Sequence, residues 1–230
     1  MARQARSVTG GEIYHVINRG NFRMRIFRKP ADYLAFMRLM EEARQRTGMR
    51  ILAFCLMPNH WHMVLWPKKA KDLSAFVGWL SNTHVRRWRG HPRNKGKGHL
   101  YQGRFKSFPA QSSKGLYAVL RYVEGNARRS QLAPAAEAWP YGSLYTGEHP
   151  TEDRVERTTW PMPRPRDWPA KVNEPIEAAE LERLRLHVQR DRPYGDAAWT
   201  ADAAKRMHLE WTIRDRDRPR AKTGQQTPEA

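Results

Sequence analysis

The sequence predicts an α+β fold in which one antiparallel sheet carries packed helices and is followed by a helical C-terminal extension. Four short segments rich in branched and aromatic residues are predicted to be strands. Longer segments with apolar residues at helical spacing alternate with them. In chain order the elements are strand, helix, strand, strand, helix, strand, helix. This order favours a ferredoxin-like or RRM-like arrangement.

The first half of the predicted sheet follows from turn signals and spacing. Residues 13–18 are a predicted strand, and turn residues follow it at 19–21. A helix is predicted from Pro30 to Gly48, with Tyr33, Phe36, Met37, Met40 and Ala43 at helical spacing. Residues 49–57 are apolar on both faces, which is typical of a strand inside a sheet. A turn at Pro58 and Asn59 then returns the chain into a strand over 60–66.

The second half contains two helices and one strand. Asp72 is the predicted N-cap of a helix whose exposed face carries Arg86, Arg87 and Arg89. Residues 99–108 are predicted to form the fourth strand. Ser112 or Ser113 is predicted to cap a third helix that runs to about Arg129.

Four regions are predicted along the chain. Residues 1–145 form the catalytic domain, and 146–173 form a Pro-rich linker or an extended strap over it. Residues 174–214 form a small helical extension, with one helix over 174–190 and another capped by Asp196. This extension could read DNA, cover the active site or serve packing. Residues 215–230 are charged and Pro-rich, and are predicted to be disordered.

Charge indicates the kind of partner. Forty-two Lys and Arg against 23 Asp and Glu give the 230-residue chain a formal charge of +19 and a pI near 10.7. A polyanionic partner is therefore expected. No acidic residue occurs between Asp72 and Glu124, so the phosphate-facing surface should belong to the N-terminal two thirds.

Other features of the composition bear on the compartment. No segment has the length of apolar sequence that a membrane span needs, and the N-terminus lacks the apolar core of a signal peptide. Cys55 is the only cysteine, which excludes an internal disulfide and fits a reducing cytoplasm. We therefore expect a cytoplasmic, DNA-associated protein with no membrane partner.

Two histidines in the predicted third strand are candidate metal ligands. His60 and His62 flank Trp61, and alternation along a strand puts both imidazoles on one face with Trp61 on the other. Their backbones lie about 6.6 Å apart at the usual rise of a strand. Both rings could then bind one divalent ion. A His-x-His pair alone is weak evidence, because alternate histidines also occur on half-buried faces.

The third helix carries a second pair. Tyr122 and Asn126 are four residues apart, so they lie on one flank beside the buried stripe of that helix. If this flank faces the histidine strand, the site contains two imidazoles, an amide oxygen and a phenol. A cation held by the first three could polarise a phosphodiester, and the phenol could attack it by transesterification.

These motifs resemble those of a known family. HWH after MPN, the strand YQGRFKS, the helix RYVEGNARRSQL and the opening YHVINRGNFRMRIFR resemble single-tyrosine HUH transposases, and most of all REP-associated tyrosine transposases. The resemblance covers most of residues 11–219. It implies that His60, His62 and Asn126 bind Mg²⁺ or Mn²⁺ and that Tyr122 is the nucleophile. One departure is Glu124-Gly125, where relatives commonly carry apolar or small residues.

The resemblance also implies the substrate and the assembly. The expected partner is single-stranded DNA with palindromic hairpins and a guide tetranucleotide at their foot, cleaved and rejoined through a 5′-phosphotyrosine. The expected state is a monomer, with a dimer that shares the site as the alternative. The candidate DNA-binding residues are all basic: Arg19, Arg86, Arg87, Arg104, Lys106 and Arg128.

A second function from another class fits the same charge. The chain could be a non-catalytic nucleic-acid-binding protein with an RRM-like sheet, in which the histidines are structural. Tyr14, His15, His99 and Tyr101 could stack on bases, although packing is the simpler interpretation for most of them. The combination of Tyr122 and Asn126 with the two histidines favours the enzyme.

Overall fold

A four-stranded sheet organises the protein, for which a computed structural model describes residues 8–94, 96, 98–112 and 114–214. The strands are β1 (Ile13–Arg19), β2 (Arg50–Met57), β3 (His60–Trp66) and β4 (Lys106–Ala110). Their order in the sheet is β2-β3-β1-β4, and every neighbouring pair is antiparallel. The α+β prediction is confirmed, and β1 and β3 are the two central strands.

Two long helices cover one face of the sheet. They are α1 (Pro30–Thr47) and α2 (Ala70–Gly90). Pro30 begins α1, and Gly48 ends it in the left-handed conformation (φ 67°), which glycine adopts without steric cost. The core beneath them includes Trp61 and Met63 of β3.

The opposite face is covered by shorter helices. These are α3 (Lys114–Glu124), α4 (Asn126–Arg129), α5 (Trp168–Asn173) and α6 (Ala178–Arg190), with α7 (Ala197–Arg206) following. The predicted stripe of α3 is fully buried: Leu116, Val119, Leu120, Val123 and Ala127. Trp168, Leu184 and Tyr194 pack into the same core, so the C-terminal elements complete this face.

Two predicted element boundaries near the sheet were wrong. The fourth strand begins at Lys106, not at residue 99; the preceding segment makes only an isolated bridge, between Tyr101 and Gly20. Asp72 does not cap α2. It is the third residue of the helix, and its carboxylate accepts a hydrogen bond from the Lys69 backbone N–H (2.8 Å), satisfying that N–H from inside the helix.

The predicted third helix is divided. Gly125 separates α3 from α4, although backbone hydrogen bonds from Gly125 to Arg121 and from Arg129 to Gly125 keep the path helical. Ser113, one of the two predicted caps, lies outside the described residues.

The predicted C-terminal helix over 174–190 was also wrong at its start. It begins at Ala178, and a separate helix, α5, precedes it within the segment predicted as linker. Pro175 lies in the interruption, where a helix would lose a backbone hydrogen bond. Asp196 does cap α7, accepting from the Trp199 N–H (2.8 Å) as predicted. The predicted disordered tail at 215–230 lies outside the described residues.

The chain beyond α4 returns to both outer strands. Residues 141–143 pair with β2, and Thr158 donates its N–H to Ile51 O (2.8 Å). At the other side of the sheet, Tyr194 donates its N–H to Pro109 O (2.9 Å) in β4. In the described ranges, no helix is long and apolar enough to cross a lipid bilayer.

Candidate active site

His60 and His62 lie together on the face of β3 that packs toward α3. Trp61 and Met63 belong to the core of the other face, as strand alternation predicted. The centroids of the two imidazole rings are 4.9 Å apart. His62 is buried, whereas His60 at the start of the strand is half-buried.

The neighbour of His60 fixes its tautomer. Asn59 donates its side-chain N–H to the carbonyl of Arg23 (3.2 Å), which sets the orientation of its amide. Its Oδ1 therefore faces Nδ1 of His60, at 2.6 Å. Because an amide oxygen only accepts, His60 carries its proton on Nδ1. The lone pair of its Nε2 is left available to a metal.

His62 has a different partner, His15 of β1. Nε2 of His15 and Nδ1 of His62 are 2.8 Å apart, and the ring centroids are 5.0 Å apart. His15 is fully buried, and its Nδ1 has no hydrogen-bond partner within the described part of the chain. Partners of this kind orient the histidines that ligate metals.

Burial keeps these imidazoles neutral. It lowers the pKa of His15 to about 3 and that of His60 to about 3. A smaller electrostatic effect lowers the pKa further, from His60 on His15 and from Arg19 on His60. Burial also lowers the pKa of His62 well below the ordinary value. A neutral imidazole is the form that binds a metal ion.

The ring of Tyr122, on α3, contacts the rings of His62 and His15. Its ring lies edge-on to His62 at 5.7 Å and to His15 at 6.1 Å between centroids. The guanidinium of Arg129 lies over the tyrosine ring, 4.6 Å from its centroid, and donates to the Tyr122 carbonyl. Burial lowers the pKa of Arg129. The ring is thus held between two imidazoles and a cation.

Asn126 begins α4, one helical turn after Tyr122. Its side chain is buried, and its Nδ2 has no hydrogen-bond partner among the described residues. A buried amide with unused hydrogen-bonding capacity is unusual in a folded protein. Because Nδ2 is an N–H donor, this unused group could donate to a phosphate oxygen, whereas a cation could bind only to Oδ1.

The Glu124-Gly125 pair has a structural explanation. The buried carboxylate of Glu124 accepts hydrogen bonds from Ser143 Oγ and Trp168 Nε1, both at 2.6 Å. Burial raises its pKa, against these two hydrogen bonds. At Gly125 a Cβ would lie 3.0 Å from Arg121 O and 3.2 Å from Val172 O. Glu124 therefore fastens the tyrosine helix to the C-terminal elements, and Gly125 lets α5 approach closely.

A basic cavity of about 900 Å³ opens beside Tyr122. Three of the predicted DNA-binding residues line it: Arg19, Arg104 and Lys106. Arg185 and Gln189 of α6 line it too, and Lys106 Nζ donates to the Gln189 carbonyl (2.6 Å). The cavity can accept a chain of phosphates next to the tyrosine.

The structure does not bring every predicted residue to this site. Arg86 and Arg87 are exposed on α2, across the sheet from the tyrosine, and Arg87 pairs with Glu42 at 3.9 Å. Arg128 is half-buried in α4 and does not line the cavity.

Several residues of the site were missed at the sequence level. They are His15, for which the sequence suggests only packing or base stacking, and Asn59 and Arg185; Arg129 belongs to the helix motif, but the motif does not predict its contact with the Tyr122 ring. Strand alternation puts His15 on the face of Ile13 and Ile17. Its contact with His62 depends on the register of β1 against β3, in which Ile17 pairs with His62. The sequence alone does not reveal this register.

The two histidines of β3 offer imidazole nitrogens that could bind a metal ion. Across the described ranges, no three His, Cys, Asp or Glu residues converge in a way that could hold a metal ion. The Nε2 atoms of His60 and His62 are candidate donors, and Asn126, buried one helical turn after Tyr122, is the third candidate that the sequence predicts. Such a set leaves room for phosphate oxygens and water, which Mg²⁺ and Mn²⁺ prefer.

Comparison with protein families decides the relationship. The family described as "Transposase IS200 like" matches residues 10–126. The chain belongs to this family. The match ends at Asn126 and so includes both histidines and Tyr122, whereas α5, α6 and α7 lie beyond the IS200-like region.

One solved structure supports the fold, and a second serves for comparison only. A REP-associated tyrosine transposase bound to a REP hairpin matches with a TM-score of 0.53 and 16% identity, over 69% of this chain and 94% of that one. A protein from Deinococcus radiodurans R1, assigned as a transposase, matches with a TM-score of 0.36 and 14% identity, over 56% of this chain and 92% of that one. No curated protein matches the chain.

Proposed function

We propose that this IS200-like transposase cleaves and rejoins single-stranded, hairpin-bearing DNA through a covalent bond to Tyr122. The observation that carries the proposal is the contact between the Tyr122 and His62 rings at the wall of a basic cavity. A tyrosine buried only for packing would not also line an open cavity with Arg19, Arg104 and Lys106.

The chain's own groups have distinct tasks. Arg19, Arg104 and Lys106 bind backbone phosphates and orient the strand. Arg129 holds the phenol ring in position through its cation–π contact. The Tyr122 hydroxyl attacks a phosphorus atom and loses its proton to water in the cavity, while the bond from phosphorus to the 3′ oxygen breaks.

The products of this step explain how rejoining needs no ATP. The 3′ oxygen leaves with the bonding electrons and takes up a proton, giving a free 3′ hydroxyl. The 5′ phosphate remains esterified to Tyr122, so the phosphodiester energy is retained. Attack by a 3′ hydroxyl on the phosphotyrosine reverses the chemistry and releases the tyrosine.

His60, His62 and Asn126 would hold a divalent cation, Mg²⁺ or Mn²⁺. A bound cation would polarise the phosphate and offset the charge that develops on it. The support is in the imidazoles, which are neutral and whose Nδ1 atoms are already engaged by Asn59 and His15, so that Nε2 is the atom left to bind a cation; Asn126 is included because the family resemblance implies it.

We assign the chain to the REP-associated branch and expect it to act as a monomer on palindromic hairpins. The motifs YHVINRGNFRMRIFR and RYVEGNARRSQL support this assignment. A relative of similar fold was solved with a REP hairpin. In this proposal residues 1–145 are the catalytic domain, 146–173 a strap, and 174–214 an extension in which α6 walls the cavity.

A denaturing gel tests the proposal. The substrate is a labelled pool of DNA hairpins with randomised single-stranded flanks, incubated with Mg²⁺ or Mn²⁺. We expect a protein–DNA adduct that survives denaturation in the wild type and in Tyr117→Phe, a matched change on the same helix. Tyr122→Phe should give none.

The same gel separates the two functional classes. Hairpin retention on a native gel, with no adduct under either metal, would mean that the protein only binds nucleic acid. An adduct that persists in Tyr122→Phe would assign the nucleophile elsewhere.

A further inference from the structure

Phe22 is held in a backbone conformation that a bulky residue rarely adopts. Its φ and ψ are 48° and 29°, in the left-handed region, and Arg23 follows with φ 58°. This region is unfavourable for residues that have a Cβ. The side chain of Phe22 is 92% exposed. Backbone strain at a surface aromatic is a reason to look for a function.

The loop that carries Phe22 is anchored on both sides. Gly20 donates its N–H to Asn59 O (2.8 Å), and Asn21 donates its N–H to Leu100 O (2.8 Å). Asn59 also donates from its side chain to the Arg23 carbonyl (3.2 Å). At Gly20 a Cβ would lie 2.4 Å from Met24 O, so the tight path requires glycine there. The aromatic ring is therefore held out from a fixed support.

Phe22 lies between two cavities. Arg23, the residue after it, lines the catalytic cavity with Tyr122. Asn21, the residue before it, lines a second cavity of about 660 Å³ between α2 and the segment before β4. Gln102, Gly103 and Arg104 line both. A strand that runs from one cavity to the other passes these shared residues, and the loop with Phe22 borders the same passage through Asn21 and Arg23.

The surroundings indicate what the ring would meet. Arg19 and Arg23 line the catalytic cavity and Arg89 the second one, so positive charge lies on both sides of the loop. Phosphates would bind to these cations, which leaves the bases free to turn toward an exposed ring. Every base has a flat π-face, so this kind of contact tolerates any sequence.

A single exposed apolar side chain needs no explanation by itself. Here strain, anchoring and location coincide at one aromatic residue. We propose that Phe22 is a stacking platform for one unpaired base of the DNA strand as it crosses from the second cavity to the catalytic cavity. This inference rests on the proposed function only in that the bound polymer is single-stranded DNA.

Fluorescence of 2-aminopurine tests the platform directly. The probe is a 20-nucleotide oligo(dT) with one central 2-aminopurine, because stacking on an aromatic ring quenches this base. Wild type and Phe22→Trp should quench the probe. Phe22→Ala should not, and its affinity for the oligonucleotide should fall about 5- to 100-fold. The same base within a duplex should show no difference between these proteins.

Two further variants control for surface and folding effects. Trp211 is the other exposed aromatic in the described part of the chain and lines neither cavity, so Trp211→Ala should quench and bind like wild type. Phe22→Gly removes the ring and relieves the backbone strain. It should lose quenching while its melting temperature stays at least as high as that of wild type.

The outcomes separate this inference from the proposed chemistry. Equal quenching and affinity in wild type and Phe22→Ala would overturn the stacking platform even if the Tyr122 adduct forms. Loss of quenching in Phe22→Ala would support it even if no adduct forms. A Phe22→Gly protein that still quenches the probe would also overturn the inference, because it has no ring on which a base could stack.

Discussion

Buried histidines occur on both faces of the sheet, but their hydrogen-bond partners differ. Under α1 and α2, Tyr101 Oη accepts a hydrogen bond from Trp61 Nε1 (3.1 Å) and lies 2.7 Å from His84 Nδ1. Under α3, His15 and His62 pair with each other, while Nδ1 of His15 and Nδ2 of Asn126 have no partner within the described ranges.

This difference is what we expect if His84 is structural and His62 belongs to the proposed metal site. The His84 network pairs its polar atoms with one another, although Tyr101 and His84 each also line a surface cavity. The His62 network leaves donors and acceptors unused and lies beside an open cavity. Burial alone does not distinguish the faces, because His15, His62 and His84 are all buried. Among the described residues, unpaired buried polar atoms also occur at Ser81 in α2 and at Asn94 just after it, so the contrast depends on the contact of His62 with Tyr122 as well as on unused hydrogen-bonding capacity.

The largest contrast is expected for metal binding. His62→Ala should remove measurable Mn²⁺ binding, because it deletes a ligand. His84→Ala should bind Mn²⁺ like wild type while losing stability through the cavity it leaves. Titration calorimetry and electron paramagnetic resonance of free Mn²⁺ measure both. Equal affinity in His62→Ala would remove this imidazole from the metal site.

A smaller loss of Mn²⁺ affinity is expected for changes at His15, which contacts the proposed ligand His62. When His62 binds through Nε2, its Nδ1–H must donate to His15 Nε2. His15→Phe removes that acceptor and should weaken Mn²⁺ binding about 10- to 100-fold. His15→Gln, which offers an amide oxygen, should retain most of the affinity, and His84→Phe is the matched control. If His15→Phe binds Mn²⁺ like wild type, the pair has only a packing role.

The buried carboxylate of the catalytic face provides a test of stability. Glu124→Gln leaves one of the two donors, Ser143 or Trp168, without a good acceptor. We expect the free energy of unfolding to fall by about 1–3 kcal/mol in urea titrations. Glu42→Gln, at a more exposed ion pair with Arg46, should cost less than about 1 kcal/mol. If the two variants lose similar amounts of unfolding free energy, Glu124 does not fasten α3 to the C-terminal elements.

The structural histidine should appear in the pH dependence of stability. Burial lowers the pKa of His84 from 6.5 to about 4, so the unfolded chain binds the extra proton first. Its contribution to stability is complete above pH 6.5 and is lost as the pH falls toward 4. In that window His84→Phe should reduce the slope of unfolding free energy against pH by about 1.4 kcal/mol per unit.

Urea titrations in the presence of a chelator measure this slope. Between pH 7.5 and 8.5 the profiles of wild type and His84→Phe should be parallel, because His84 is then neutral in both states. Equal slopes below pH 6 would mean that His84 charges inside the folded protein.

Local periodicity predicted much of the site. Strand alternation correctly separated His60 and His62 from Trp61, and Tyr122 contacts His62, whereas the shared flank of Tyr122 and Asn126 stays a prediction. These are short-range properties, which follow from backbone geometry.

The rest of the site depends on contacts between distant segments. His15 reaches His62 across 47 positions of sequence, through a strand register. Arg185 and Gln189 reach the cavity because α6 packs beside β4, and nothing in their own sequence indicates that partner. The start of β4 was wrong for a related reason, since residues 99–105 have strand-like composition but make only one bridge to Gly20.

The return of the chain to both outer strands has a consequence for self-association. An unpaired outer strand is a template to which another chain can add. Here the N–H of Thr158 and the pairing at Gly142 occupy the margin of β2, and Tyr194 occupies the margin of β4. The chain beyond α4 therefore blocks the addition of another molecule at both outer strands, which should limit aggregation. A fragment ending at Arg129 would expose both margins, even though it retains every proposed metal ligand and the tyrosine.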